Sequence, residues 1–386
     1  MSGALGRPTI TVGFIPLLDC ACIVAAAEQG FARAEGLDLA LVRETSWANI
    51  RDRLIVGHFD AAHLLGPMAV ASTLGIGHLR VPLVAPFALG LGGNAITVSS
   101  SLWEQMCREG AVLGGNPRMQ GSALARVVAA RTKSAAARGD DAPLTFGMVY
   151  PFSCHNYELR YWLAAVGIDP DRDVRLVVIP PPFLADAMRA GQIDGFCVGE
   201  PWNSVAVAAG VGTIVAPTTA IWPYSPEKVL GCRASWAQDN ASKLDALIRA
   251  LYRASLWCED PANHSDLAHM LAASRYIDAP AELLHAALTN RLSLTPGAAP
   301  TALPDFYVSA RQAATFPWIS HALWFYAQMV RWRQVEPARA HAALVRGTYR
   351  PDIYRRALAP LRVDVPAHDM KREHFFDETV FNPAAA

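Results

Sequence analysis

The sequence predicts an α/β protein of two lobes, each a mixed sheet flanked by helices. Three observations point there. The chain has 386 residues, more than the about 100–200 that one domain usually holds. Strand-like and helix-like segments alternate along it, the pattern of sheets covered by helices. One short pattern also occurs twice: Gly57, Asp60, Leu64 and Pro67 recur at identical spacing as Gly191, Asp194, Val198 and Pro201. Each copy follows a helix-like stretch and opens a strand-like one, so the pattern reads as a duplicated unit, one per lobe.

The elements follow in order. Residues 10–14 read as a strand and 19–34 as a helix, with Asp19 at the positive end of its dipole. Residues 38–42 are strand-like, and a helix over 46–56 stops at Gly57. Apolar runs at 61–65, 81–85 and 95–98 continue the alternation. The second unit begins with a strand at 144–149, a helix at 153–166 and a strand at 174–179, preceded by an Ala- and Arg-rich helix over 118–138. Beyond Pro226 the spacing turns helical: amphipathic stretches at 241–257, 266–273 and 281–288, a loop at 299–306, and an aromatic-rich helix at 318–331. The tail from Pro360 has little periodicity. The chain is expected to cross between units near Asn94 and Val229. That predicts a discontinuous first lobe, residues 1–95 and 221–386, with the second lobe at 96–220.

Composition narrows the function. Hydrophobic residues make up 52% and charged residues 18%, enough for sizeable cores. Basic and acidic residues balance at 34 each, so bulk charge recruits neither nucleic acid nor an anionic membrane. No apolar run reaches the about 20 residues of a membrane span. No apolar leader precedes the first strand, and the seven cysteines are odd in number and scattered. Both features predict a cytoplasmic protein with free thiols. Cys20-Ala21-Cys22 has no second pair at zinc-site spacing, so no metal is expected. Phosphate-binding, dinucleotide and nucleophile-elbow motifs are missing. Cys154 adjoins His155, but chain neighbours seldom form a nucleophile–base pair. Binding without cofactor is therefore expected, not catalysis.

Two expected helix starts carry side chains suited to an anion: Thr45-Ser46-Trp47-Ala48-Asn49 and Pro151-Phe152-Ser153-Cys154-His155-Asn156. Unpaired N–H groups and the helix dipole favour an anion there, and both starts follow strands of the parallel type. The alternative is that Ser46 and Ser153 are ordinary caps and the rings are core. Gly92-Gly93-Asn94 reads either as a turn or as a close backbone approach with an amide donor. Lys228, in Ser225-Pro226-Glu227-Lys228, is either a solvated charge or an anion partner.

Taken together these segments resemble the nitrate- and bicarbonate-binding proteins of ABC importers, over residues 9–332. The resemblance rests on Gly30-Phe31, Glu35-Gly36-Leu37, Thr45-Ser46-Trp47 with Arg51-Asp52, and Gly93-Asn94-Ala95-Ile96. It continues through His155 with Leu159-Arg160-Tyr161-Trp162, Gly167-Ile168-Asp169-Pro170, and Gly199-Glu200-Pro201-Trp202. Pro226-Glu227-Lys228 and Pro317-Trp318-Ile319-Ser320-His321 with Trp324-Phe325 complete it.

The resemblance implies a two-lobed, periplasmic-binding-protein-like clamshell of type II. It places Trp47, Asn94, His155 and Lys228 around a small oxyanion, nitrate or nitrite, with Ser46, Ser153, Glu200 and Pro201 in support. Asn94 stands where the family usually has Gln, with a shorter reach. Lys228 stands where the bicarbonate binders carry an acid that works with calcium, which implies a nitrate-type ligand and no metal. Without a leader, the chain resembles most the cytoplasmic nitrate/nitrite sensor of that family. That likeness implies a regulatory partner, an ANTAR-type antiterminator released when nitrate binds; the alternative is the substrate-binding protein of a nitrate/bicarbonate-type ABC importer.

Overall fold

Ten strands among the described residues form two five-stranded sheets; the computed structural model describes residues 7–77, 79–138 and 143–385. In chain order they are β1 (Thr9–Phe14), β2 (Asp38–Arg43), β3 (Ala61–Leu65), β4 (Leu83–Ala88) and β5 (Asn94–Ser99). There follow β6 (Leu144–Met148), β7 (Val174–Val178), β8 (Gly195–Gly199), β9 (Gly212–Pro217) and β10 (Lys228–Arg233). One sheet has the order β2-β1-β3-β10-β4 and the other β7-β6-β8-β5-β9. In the first, β1 pairs parallel with β2 and β3, and β10 runs antiparallel to β3 and β4. The second repeats this: β6 is parallel to β7 and β8, and β5 is antiparallel to β8 and β9.

The duplicated sequence pattern maps onto the equivalent strands β3 and β8, and each recurring residue has a physical task. Gly57 and Gly191 adopt left-handed φ values of 88° and 68°, the turn that ends a helix without a Cβ clash. Asp60 accepts a hydrogen bond from the Thr11 amide (2.9 Å) and Asp194 one from the Thr145 amide (2.8 Å). Each thereby ties the start of its strand to the neighbouring parallel strand. Leu64 and Val198 are fully buried. Pro67 opens the Gly66–Leu74 helix, and Pro201 directly precedes the Trp202–Ala208 helix, where a missing N–H costs nothing.

Two antiparallel segments join the sheets. The chain passes from β4 to β5 through Leu89–Gly93 and returns from β9 to β10 through residues 218–227. The passages bond to each other: the Gly92 amide donates to the Ser225 carbonyl (2.8 Å) and the Leu89 amide to the Lys228 carbonyl (2.9 Å). Leu91–Gly92 also pairs with Tyr307–Val308. Asn94 and Lys228 are thus the first strand residues beyond each passage, which puts both between the sheets. Further helices thicken the first sheet. In Ala241–Glu259, Leu244, Leu247, Ile248, Leu251, Ala254 and Cys258 are buried, a stripe at three- and four-residue spacing. No described helix is long and apolar enough to cross a membrane.

Three local expectations differ from the structure. The helix expected over 19–34 is a 3-10 turn (Leu18–Cys20), a helix (Ala21–Glu28) and a short helix (Phe31–Ala34), broken at Gly30 with φ 78°. Asp19 therefore does not open the helix; it lies buried in the turn before it. The stretch at 299–306, expected as a loop, contains the short strand Thr301–Ala302. The tail folds back as a hairpin, Glu373–His374 with Val380–Phe381. Its Phe375 ring lies 4.8 Å from that of Tyr161 and 5.6 Å from that of Trp324. Anchoring by single aromatic rings has no sequence period, so pattern reading misses it.

Gly92 has φ 70°, and a Cβ there would lie 2.2 Å from the Phe306 carbonyl oxygen and 2.7 Å from Thr219 Cγ2. Gly92→Ala should therefore lower stability by about 2 kcal/mol or more, read as a fall of several degrees in Tm. A Tm within about one degree of the parent would show instead that the passage shifts freely.

Candidate anion-binding site

Lys228 is 1% exposed, and a buried ammonium requires counter-charge. It finds two. Its Nζ donates to Asp19 Oδ2 at 2.7 Å and to Glu227 Oε2 in a short contact. Asp19 comes from the turn after β1. Its other oxygen lies 2.9 Å from Nε2 of His63 on β3, while His63 Nδ1 accepts from the Ile15 amide. Trp47, the first residue of its helix, covers this group. Its ring stands edge-on to His63 at 5.5 Å, with Lys228 Nζ 5.9 Å from the indole centroid.

The opposite lobe contributes through β5 and the Cys154–Ala165 helix. His155 Nε2 lies 3.7 Å from Glu227 Oε2. Asn94 donates through its amide nitrogen to Glu227 in a short contact and to Glu158 Oε2 at 3.4 Å. The Cys154 thiol donates to the Glu227 carbonyl at 3.3 Å. Glu227 is therefore the common neighbour of Lys228, Asn94, His155 and Cys154. Nearer the solvent, the Arg51 guanidinium donates to the Tyr150 hydroxyl across the lobes. Both residues line a cavity of about 240 Å³ with Asp52, Met68 and Phe152.

The charge states follow from burial and pairing. Burial opposes ionisation of Asp19, but Lys228 and His63 overcome it and hold the carboxyl well below the usual range. Burial works against Lys228 too, yet Asp19 and Glu227 keep its ammonium more firmly protonated than usual. Burial, with Lys228 close by, lowers His155 well below the usual imidazole range. Burial likewise lowers His63, so both rings are neutral at pH 7. Burial lifts Glu227 to about 7 despite Lys228. Glu158 is raised well above the carboxylate range by burial and by Glu227. The Cys154 thiol is pushed far up by burial, so it is no nucleophile.

The four residues named from sequence as ligands thus meet in one cluster, each at most 1% exposed. The Trp47 indole nitrogen and both ring nitrogens of His155 are buried without a hydrogen-bond partner among the described residues. Lys228 uses two of its three ammonium protons. Asn94 differs from its expected role: both amide protons face carboxylates, and it is its oxygen that is unpartnered. The supporting residues stand further out. Ser153 caps its helix by accepting from the Asn156 amide at 3.1 Å, whereas Ser46 makes no side-chain cap bond. Glu200 is buried, accepts from the Ser204 amide, and links the lobes through its backbone to Gly93 and Leu18. Pro201 follows it at the start of the next helix.

From sequence, the site is a set of donors around a single lysine. The structure corrects this: Asp19, Glu158 and Glu227 surround the lysine, and His63 joins them. Glu227 and Glu158 had a signal, one adjacent to Lys228 and the other three residues beyond His155, on the same helix face. Asp19 and His63 had none, since the contact between Asp19 and Lys228 spans 209 residues. Among the described residues no group of three or more His, Cys, Asp or Glu side chains is arranged to hold a metal.

With the geometry defined, comparison with known proteins places the chain. The sequence profile described as the NMT1-like family matches residues 3–272. The chain belongs to the NMT1-like family. Among curated relatives of this NMT1-like protein is the nitrate/nitrite binding protein NrtA of Synechococcus elongatus. The two are 33% identical over 388 residues, covering 97% of this chain and 83% of NrtA. The bicarbonate transport ATP-binding protein CmpC of the same organism is 36% identical over 333 residues, covering 86% of this chain and 46% of CmpC. The chain spans only about half the length of such ATP-binding relatives. The crystal structure of the periplasmic nitrate-binding protein NrtA from Synechocystis PCC 6803 superposes with a TM-score of 0.87 at 27% identity. It covers 97% of this chain and 96% of that one. The fold is the two-lobed periplasmic-binding-protein type, and these relatives of similar length are named as binding proteins.

Two outcomes follow. Lys228→Met would leave Asp19 and Glu227 buried without their cation, a loss of about 3–5 kcal/mol. The loss should be greater at pH 8 than at pH 5, where Glu227 can protonate, and Glu227→Gln should restore part of it in urea titrations. Equal loss at both pH values would mean that the carboxylates find other partners. Burial also raises Glu200, to about 7 from 4.5. Its folded state then holds a proton that the unfolded state releases, so stability falls as pH rises between those values. Glu200→Gln should remove that slope and stabilise the protein at pH 8 by on the order of 1–3 kcal/mol. Parallel stability-against-pH curves would contradict this.

Proposed function

We propose that this chain is the ligand-binding component of an ABC-type importer and closes its two lobes on a small oxyanion, nitrate or nitrite. The observation that carries the reading is the convergence of Trp47, His155 and Lys228 from both lobes on one sealed cluster with donors to spare. Nitrate is flat, singly charged and accepts only. The indole N–H, the N–H of a neutral imidazole and the third ammonium proton of Lys228 match it. The similarity to nitrate-binding proteins over nearly the whole chain supports the same reading.

A second ligand is favoured by a separate observation. The buried oxygens Asn94 Oδ1 and Glu158 Oε1 lack partners, and such acceptors suit a hydroxyl-bearing anion such as bicarbonate. The regulatory reading, a cytoplasmic sensor holding an antiterminator, is supported less than the importer reading. Two of the curated relatives are named as a nitrate import ATP-binding protein and a bicarbonate transport ATP-binding protein. Pull-down of the antiterminator with and without nitrate tests that reading, and cell fractionation tests the location.

Calorimetric titration and thermal melts with nitrate, nitrite, bicarbonate and an aliphatic sulfonate test the ligand. Nitrate at a hundredfold excess over Kd should stabilise the fold by about 2.7 kcal/mol. Trp47→Phe, which keeps a ring but removes the N–H, and His155→Ala should each weaken nitrate binding at least about tenfold, the worth of one hydrogen bond to a charge. Binding of bicarbonate alone would select the second ligand, and a response to neither would refute this use of the cleft.

A further inference from the structure

The cluster holds more carboxyl groups than an anion-binding site needs. Asp19, Glu158 and Glu227 are at most 5% exposed, and among the described residues Lys228 is the one ammonium paired with them. The groups around Glu227 come from every neighbouring element. Asp19 lies on the turn after β1 and His63 on β3. Cys154, His155 and Glu158 lie on the Cys154–Ala165 helix, Cys197 on β8, Lys228 on β10, and Tyr349 in the C-terminal region. The imidazoles are neutral, and the thiols and the phenol are protonated. With both glutamates ionised, the negative charges would outnumber the lysine before any anion arrived. A monoanion sealed in beside them would add to the excess, and a low-dielectric interior does not tolerate unpaired charge.

We propose that the cleft takes up its anion together with a proton, which adds to the Glu227–Glu158 pair. The two carboxylates are bridged by one amide group, since Asn94 Nδ2 donates to both. Like charges held this close share a proton. The proton comes from solvent and forms an O–H bond on a glutamate oxygen; no other bond changes. Glu227, the less strongly raised of the two, is the one with a proton to gain near neutral pH. Burial already holds both groups above the usual carboxylate range, so uptake at neutral pH is chemically accessible. The proposal rests on the anion-binding reading of this cleft. It assigns the glutamates a role distinct from the donors: they make the affinity depend on pH.

The test is titration calorimetry of the intact protein with sodium nitrate, which as the anion of a strong acid cannot itself deliver a proton. At pH 8, titrations in PIPES, imidazole and Tris should give apparent enthalpies that vary linearly with the buffer's ionisation enthalpy. The slope should correspond to net proton uptake. Nitrate affinity should fall up to about tenfold per pH unit above 7, the limit for one linked proton. Glu227→Gln, a permanent mimic of the protonated acid at the member of the pair that is ionised at pH 8, should bind nitrate more tightly than the wild type at pH 8 and without proton uptake. Wild-type binding with buffer-independent heat and pH-independent Kd would overturn the proposal and leave the anion reading intact, whether or not the variant folds. Failure of both nitrate and nitrite to bind at any pH would remove the reading and the proposal with it.

Discussion

A buried ammonium cannot stand alone, and the placement of Lys228 constrains much of what surrounds it. Its two carboxylate partners come from the turn after the first strand and from the residue beside it in sequence. Each brings a second layer. Asp19 holds His63, and His63 positions the Trp47 ring. Glu227 reaches across to Asn94 and His155 on the other lobe. One charge therefore organises the facing surfaces of both sheets. Exclusion from water makes these contacts strong, and it also makes any uncompensated charge costly.

The site lies at this point because the two units are copies turned toward each other. In each, the parallel strands end where a helix begins, and the Trp47 and Cys154 helices start from opposite sides of the same gap. The paired passages between the sheets then deliver Asn94 and Lys228 into it. A duplicated fold with swapped crossing strands thus builds a cleft from four segments far apart in the chain, with no dedicated loop. The crossing pair is also the natural place for relative motion, because only a few backbone hydrogen bonds join it.

Contacts outside the cluster fasten the lobes in this arrangement. The Trp202 indole donates to the Pro16 carbonyl at 2.8 Å, the Tyr157 hydroxyl to Gln334 at 2.6 Å, and the Tyr161 hydroxyl to Asp377 in the tail. Each joins an element of the second sheet's lobe to a segment packed on the first. The result is a closed cleft whose polar centre is out of solvent contact, so exchange with solvent requires these contacts to part.

The fold class was legible in the sequence because alternation of strands and helices, and the recurrence of Gly, Asp, an aliphatic residue and Pro, are local signals with local causes. A helix stop, a strand-start bond and a helix opening each need a residue type at a fixed spacing, and that survives in one dimension. Helix starts, where α/β folds gather side chains, marked Trp47 and His155 as candidates, and it was the family resemblance that put them together with Lys228. The electrostatics of the cluster were decided by tertiary structure alone. Whether Lys228 is a free cation or a paired one depends on Asp19, which no spacing rule links to it. Whether Asn94 donates to a ligand or to its neighbours depends on two carboxylates that meet it only after the lobes come together. Charge state is a property of distance and burial, and those are set by packing between segments that the sequence keeps apart.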